Sequence, residues 1–230
     1  MATYYAKRAF EILREKGPVE LSNKSIRFLH NNFRSKYHLY KTSIKYDAPP
    51  NKGYEASPKK INYDIRNRVK KQHNWKTKYP PHIVLGGEWD KLKTKFEDKW
   101  IYKSYVQRYR ENDPWEETRY YSNYREKGYS HDAAMGELKK YDDIFRDIKT
   151  NGYDSDKPVR LYIGRNGEYM RVTGQNRLCM AKVLELDSIS VQIDLVHKQW
   201  QELRDEIHNN GLPEGREDLH DHPDLQDVLN

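Results

Sequence analysis

The stretch VRLYIGRNGEYMRVTGQNRLCMAKVLELDSISVQID, residues 159–194, decides how the rest of the chain is read. Val159 to Arg165 alternates apolar and polar side chains, Asn166-Gly167 is a strong hairpin signal, and Glu168 to Thr173 reads as the returning strand. Gly174 ends that strand. Leu178, Ala181, Leu184 and Leu186 then recur at helical spacing up to Asp187, and Ile189 to Asp194 alternates as a strand again. Strand, turn, strand, glycine, helix and strand in this order predict an α+β fold.

The order also places Gly174 where a strand becomes a helix. Backbone N–H groups of a first helical turn have no intrahelical acceptor and carry the positive end of the helix dipole. Glycine there lets an anion approach the backbone, and Arg177, one turn in, can add a two-pronged hydrogen bond to a phosphate or carboxylate. The competing reading is that Gly174 only makes the bend and Arg177 pairs with a nearby carboxylate.

The unit resembles the ParB/sulfiredoxin-like family: a hairpin, a G-x-x-R segment opening a helix, then an alternating strand. The residues that carry the resemblance are Val172 to Ala181 (VTGQNRLCMA) and Ile189 to Ile193 (ISVQI), about a quarter of the chain with the hairpin. It implies a small mixed β-sheet covered by helices and a phosphate-binding turn of Thr173, Gly174, Gln175, Asn176 and Arg177. It also implies a ligand of the ATP or CTP class, with Mg²⁺ as its companion cation. Gln175 stands where partition proteins of this family have Glu and sulfiredoxins have their reactive Cys, and Thr173 where many relatives have Asp. Any acid–base catalyst must therefore come from outside the turn. Cys179 lies beyond the position of that reactive Cys, between Leu178 and Met180, and reads as a small core residue.

Composition bounds the rest. The 230 residues are enough for one sizeable domain or two small ones, and a single cysteine excludes a disulfide framework. No apolar run approaches the ~20 residues that span a bilayer, so a soluble cytoplasmic protein is expected. The net charge of +7 is unevenly spread: residues 1–80 carry 19 Lys and Arg against 6 Asp and Glu, whereas residues 81–230 carry 23 against 29. The sequence thus divides into a basic arm (1–80), a domain (81–210) with a helical insertion (91–150), and an acidic, mobile-looking tail (211–230). The arm should hold two helices, within 2–16 and from Ser22, then a turn-rich connection. In the latter, Arg66, Arg68, Lys70, Lys71, Lys76 and Lys78 interleave with Tyr63, His73, Trp75 and Tyr79. That mixture suits a nucleic acid, with an anionic membrane surface or plain solvation as alternatives.

Residues 82–90 (HIVLGGEWD) read as a short strand and a glycine-rich acidic loop, in which Glu88 or Asp90 could act as a base. The ParB-like resemblance puts an acid from an early strand across from the G-x-x-R turn, and these two are the candidates. Asp113-Pro114-Trp115-Glu116 has the pattern of a helix start, with Trp115 within reach of a ligand, and Ser130 opens a further helix striped by Leu138, Tyr141, Ile144, Phe145 and Ile148. His208, His220 and His222 match no ligand spacing, so no metal site is expected. The leading functional reading is nucleotide or phosphate binding at Gly174–Arg177 with polyanion contact by the arm. A kinase or nuclease using Glu88 or Asp90, and a non-enzymatic scaffold, are the rivals.

Overall fold

At the centre of the computed structural model, which describes residues 53–65 and 83–229, lies one mixed sheet. Its strands are β1 (Gly53–Ala56), β2 (Tyr63–Asp64), β3 (Ile83–Leu85), β4 (Thr94–Lys95), β5 (Val159–Ile163), β6 (Tyr169–Arg171) and β7 (Ile189–His197). They run in the order β1-β7-β5-β6-β2-β4, with β3 also paired to β7. The β5–β6 hairpin is antiparallel and β5 lies parallel to β7, so the helix between β6 and β7 crosses one face. Val159, Leu161, Ile163, Met170, Val191 and Ile193 are buried, which is why the period-two pattern was readable. Between Leu161 and Tyr162 the β5–β7 register slips by one residue. The carboxylate of Asp194, the extra residue, accepts a 2.9 Å hydrogen bond from Arg160 Nε.

Five α-helices complete the described fold: α1 (Trp100–Val106), α2 (Arg119–Glu126), α3 (His131–Asn151), α4 (Gln175–Val183) and α5 (Lys198–Asn210). Among the described residues none is long and apolar enough to cross a membrane. Helix α1 passes into a π-helical turn, Gln107–Glu111, ended by Asn112 at φ 63°. Ser130 caps α3 as expected, its hydroxyl accepting from Ala133 N at 3.2 Å. The helix expected from Pro114 begins later: Trp115–Glu117 is a single 3-10 turn, and Thr118 caps α2 by accepting from Tyr121 N. Trp115 is no ligand contact. It is buried, and its indole N–H donates to Asp142 at 3.0 Å beside the Tyr109 hydroxyl at 2.9 Å. Tyr105, Trp115 and Tyr120 pack as an aromatic core under these helices, whereas Ile144 faces solvent.

Two expected boundaries move. The domain does not begin at residue 81, because β1 and β2 are strands of the same sheet; β1 pairs antiparallel with β7 and β2 parallel with β6. Short strands of two to four residues lack the length for a legible alternation. Residues 211–229 are not a mobile tail either. Leu219, Leu225 and Val228 are buried, Asp224 Oδ2 accepts from Trp200 Nε1 at 2.8 Å, and Arg204 pairs with Asp227. His222 lies against Tyr169 and Trp200 and hydrogen-bonds Gly167 O, and burial pushes its imidazole pKa down. Three apolar residues among many acids were enough to dock the segment, a pattern that mean composition hides. The two helices expected in the arm, and Arg66, Arg68, Lys70, Lys71, Lys76 and Lys78, lie outside the described residues.

Candidate anion site at the start of helix α4

Gly174 precedes α4 with φ 79° and ψ 26°, a left-handed conformation that glycine adopts without a Cβ clash. A Cβ there would also stand 3.2 Å from Val159 Cα, so close passage against the start of β5 demands glycine. No side chain caps the helix and no acid occupies its first turn. Leu178 N is the first amide bonded back to Gly174 O, which leaves the amides before it without the usual helical acceptor.

The side chains of the turn divide into anchored and free. Gln175 Oε1 accepts from Arg171 Nη2 at 3.1 Å, and Asn176 Oδ1 accepts from the Tyr120 hydroxyl at 3.4 Å. Thr173 Oγ1, Asn176 Nδ2 and the Arg177 guanidinium, all on half-buried residues, make no hydrogen bond or ion pair with described residues. Arg177 does sense Tyr153 and Asp154. Burial pushes the Tyr153 phenol up to about 12 against the pull of Arg177, and Asp154 is held low by Lys157 first and Arg177 after it. The turn therefore presents backbone amides, a hydroxyl, an amide NH₂ and a guanidinium, all donors.

Beneath it lies a buried ion cluster that the sequence did not disclose. Arg171, fully buried, pairs with Asp64 of β2, and Lys99 Nζ reaches the same Asp64 Oδ2 at 2.5 Å. Two cations thus share one buried carboxylate. Asp64 is an acid from an early strand, next to the turn through Arg171 and Gln175, where the sequence pointed to Glu88 or Asp90 instead. Its signal was faint: one Asp at the end of a two-residue strand. Cys179 is completely buried nearby, and burial drives its thiol pKa far up, so it is an inert core residue.

Glu88 and Asp90 stand elsewhere. Asp90 Oδ2 accepts from the backbone N of Arg165 at 3.2 Å and its Oδ1 from Arg165 Nη2 at 2.6 Å, just past the end of β5. Gly174 lies at the start of the same strand, and six residues at ~3.3 Å rise put the two roughly 20 Å apart. Glu88 is exposed and paired with Lys91. These two carboxylates therefore clamp the Gly86-Gly87 loop onto the hairpin, together with His197 Nε2 against Gly87 O at 2.9 Å, and do not face the turn.

Nothing among family models, curated proteins or solved structures matches this chain. The geometry of the site carries the functional argument alone. Among the described residues no group of three or more His, Cys, Asp or Glu is arranged to hold a metal ion.

The Asp90 clamp makes a pH prediction. Burial alone would raise the Asp90 pKa, but hydrogen bonds from Arg165 outweigh it and hold the carboxyl at about 2. A depressed native pKa contributes stability that is present above the ordinary carboxyl range and lost as pH falls toward 2. Asp90→Asn should thus be less stable than the parent in urea unfolding at pH 7, with the gap closing as pH falls from 4 toward 2. Phosphate binding by the variant should be unchanged; a selective loss of binding or turnover without lost stability would restore Asp90 as a functional acid.

Proposed function

We propose that the chain is a divergent ParB/sulfiredoxin-like protein that binds a nucleotide or other phosphate ligand at Thr173–Arg177. The observation that supports this most is a run of donors without a described partner at an uncapped helix start: Thr173 Oγ1, Asn176 Nδ2, the first-turn amides and Arg177. Such donors suit an anion, and a phosphate has several oxygens to accept from them. Asp64, the carboxylate linked to the turn, is engaged by two cations, so the arrangement favours holding a phosphate over abstracting a proton. A nucleotide would bring its own Mg²⁺.

A thermal-shift series with ATP, ADP, CTP, GTP and inorganic phosphate tests the reading, since a ligand at 100 times its Kd adds roughly 2.7 kcal/mol of stability. A flat response to all five would favour the scaffold alternative. The charge of residues 1–80 supports a second contact, with nucleic acid. If Arg66, Arg68, Lys70, Lys71, Lys76 and Lys78 neutralise phosphates, log K should fall with log salt by about 0.7 per contact on single strands or 0.9 on duplex. Changing all six to Gln should flatten that slope; an unaltered slope assigns the binding to other residues.

A further inference from the structure

A groove of about 560 Å³ runs along α1 and its π-helical turn, lined by Trp100, Tyr102, Lys103, Val106, Gln107, Glu111 and Arg119. Its volume is that of a small-ligand pocket, and its lining joins an indole and aliphatic surface to an amide, a phenol, the Glu111 carboxylate and two cations, of which Arg119 is paired with Glu126. Trp100 is 38 % exposed, which is unusual for an indole with a core so close at hand, since Trp89, Trp115 and Trp200 are each buried to within 2 %. Its ring stands at 82° to Tyr120 with centroids 5.5 Å apart, so one edge is fixed while much of the ring remains open.

Side-chain contacts link Trp100 of the groove to the anion turn. The Tyr120 hydroxyl that meets Asn176 belongs to the ring that supports Trp100. Lys99, one residue before Trp100, is bound to Asp64, and Asp64 to Arg171, whose guanidinium holds Gln175. At the other end Arg110 Nη2 donates to Lys182 O at 3.0 Å and to Glu185, so α1 and its π-turn run alongside α4 in the same direction. Both helices start at one place, and the groove leads away from it. A single wider turn of the π type, as seen at Gln107–Glu111, recurs where helices are shaped around ligands.

We propose that the groove is a planar-ring subsite and that the ligand is a nucleoside phosphate: its base lies on Trp100, its edge meets Gln107 and Arg119, and its phosphates reach the α4 turn. This rests on the phosphate-site reading and narrows it, because an inorganic or sugar phosphate leaves the groove unused. Aromatic stacking tolerates any base, so Trp100 supplies affinity and the groove's polar atoms supply preference.

The test compares ATP, CTP, GTP and UTP with inorganic tripolyphosphate, which has the phosphate chain but no base, on the full chain by calorimetric titration. The quantity read is the ratio of tripolyphosphate Kd to nucleotide Kd, which is insensitive to a fraction of misfolded protein. In the parent at least one nucleotide should bind 10-fold or more tighter than tripolyphosphate; Trp100→Ala should bring that ratio close to one, and Trp100→Phe should keep most of it. Equal binding of tripolyphosphate and every nucleotide overturns the subsite while leaving the phosphate reading standing. A preference that survives Trp100→Ala also overturns it. If tripolyphosphate and nucleotides alike fail to bind the parent, the phosphate reading falls and the inference with it.

Discussion

Arg171→Ala is expected to lower the unfolding free energy by about 3–5 kcal/mol, because it removes one partner of a buried ion pair and takes a cation away from the desolvated Asp64 carboxylate. The loss should show as a drop in urea midpoint at unchanged slope. The same change strips Gln175 of its anchor, so the start of α4 should loosen as well. Asp64→Ala combined with Arg171→Ala should recover part of the stability, since neither charge is then buried alone, and the non-additivity measures the coupling. A single-variant loss under about 1 kcal/mol would mean that the cluster is hydrated and does not set the turn in place.

The hairpin, the glycine junction, α4 and β7 were legible because each rests on local signals: period-two burial, an Asn166-Gly167 turn, and a run of apolar residues after the glycine that is buried all round as α4. The start of α3 followed from Ser130 for the same reason. What stayed hidden depends on contacts distant in sequence. Strands β1, β2 and β4 are too short to announce themselves and exist through pairing with β7, β6 and each other. The misplaced acid is the sharpest case. Asp90 had a glycine-rich loop to recommend it, yet β3 lies parallel to β7 and carries that loop to the far end of the sheet, where Arg165 claims it. Asp64 had no motif at all, and only the register of Asp64 opposite Arg171 brings it under the turn. Likewise Asp113-Pro114 looked like a cap, but tertiary packing of Trp115 turned the chain once and handed the role to Thr118.

If the start of α4 is an anion site, Arg177 supplies its charge. Arg177 makes no ion pair with a described residue and is half-buried, so truncating it removes little native structure. Arg177→Ala should therefore change unfolding free energy by no more than about 0.5 kcal/mol. A charge-assisted hydrogen bond to phosphate is worth ~1.5–3 kcal/mol, which makes tripolyphosphate binding about 10- to 100-fold weaker in the variant. Arg177→Lys should restore only part of this, because a point charge replaces a planar fork. The decisive measurement is calorimetric titration of tripolyphosphate into the parent and Arg177→Ala, with urea unfolding of both in the same buffer. The account predicts a large loss of affinity at constant stability; unchanged affinity in a destabilised variant would show that Arg177 is structural and contradict the site.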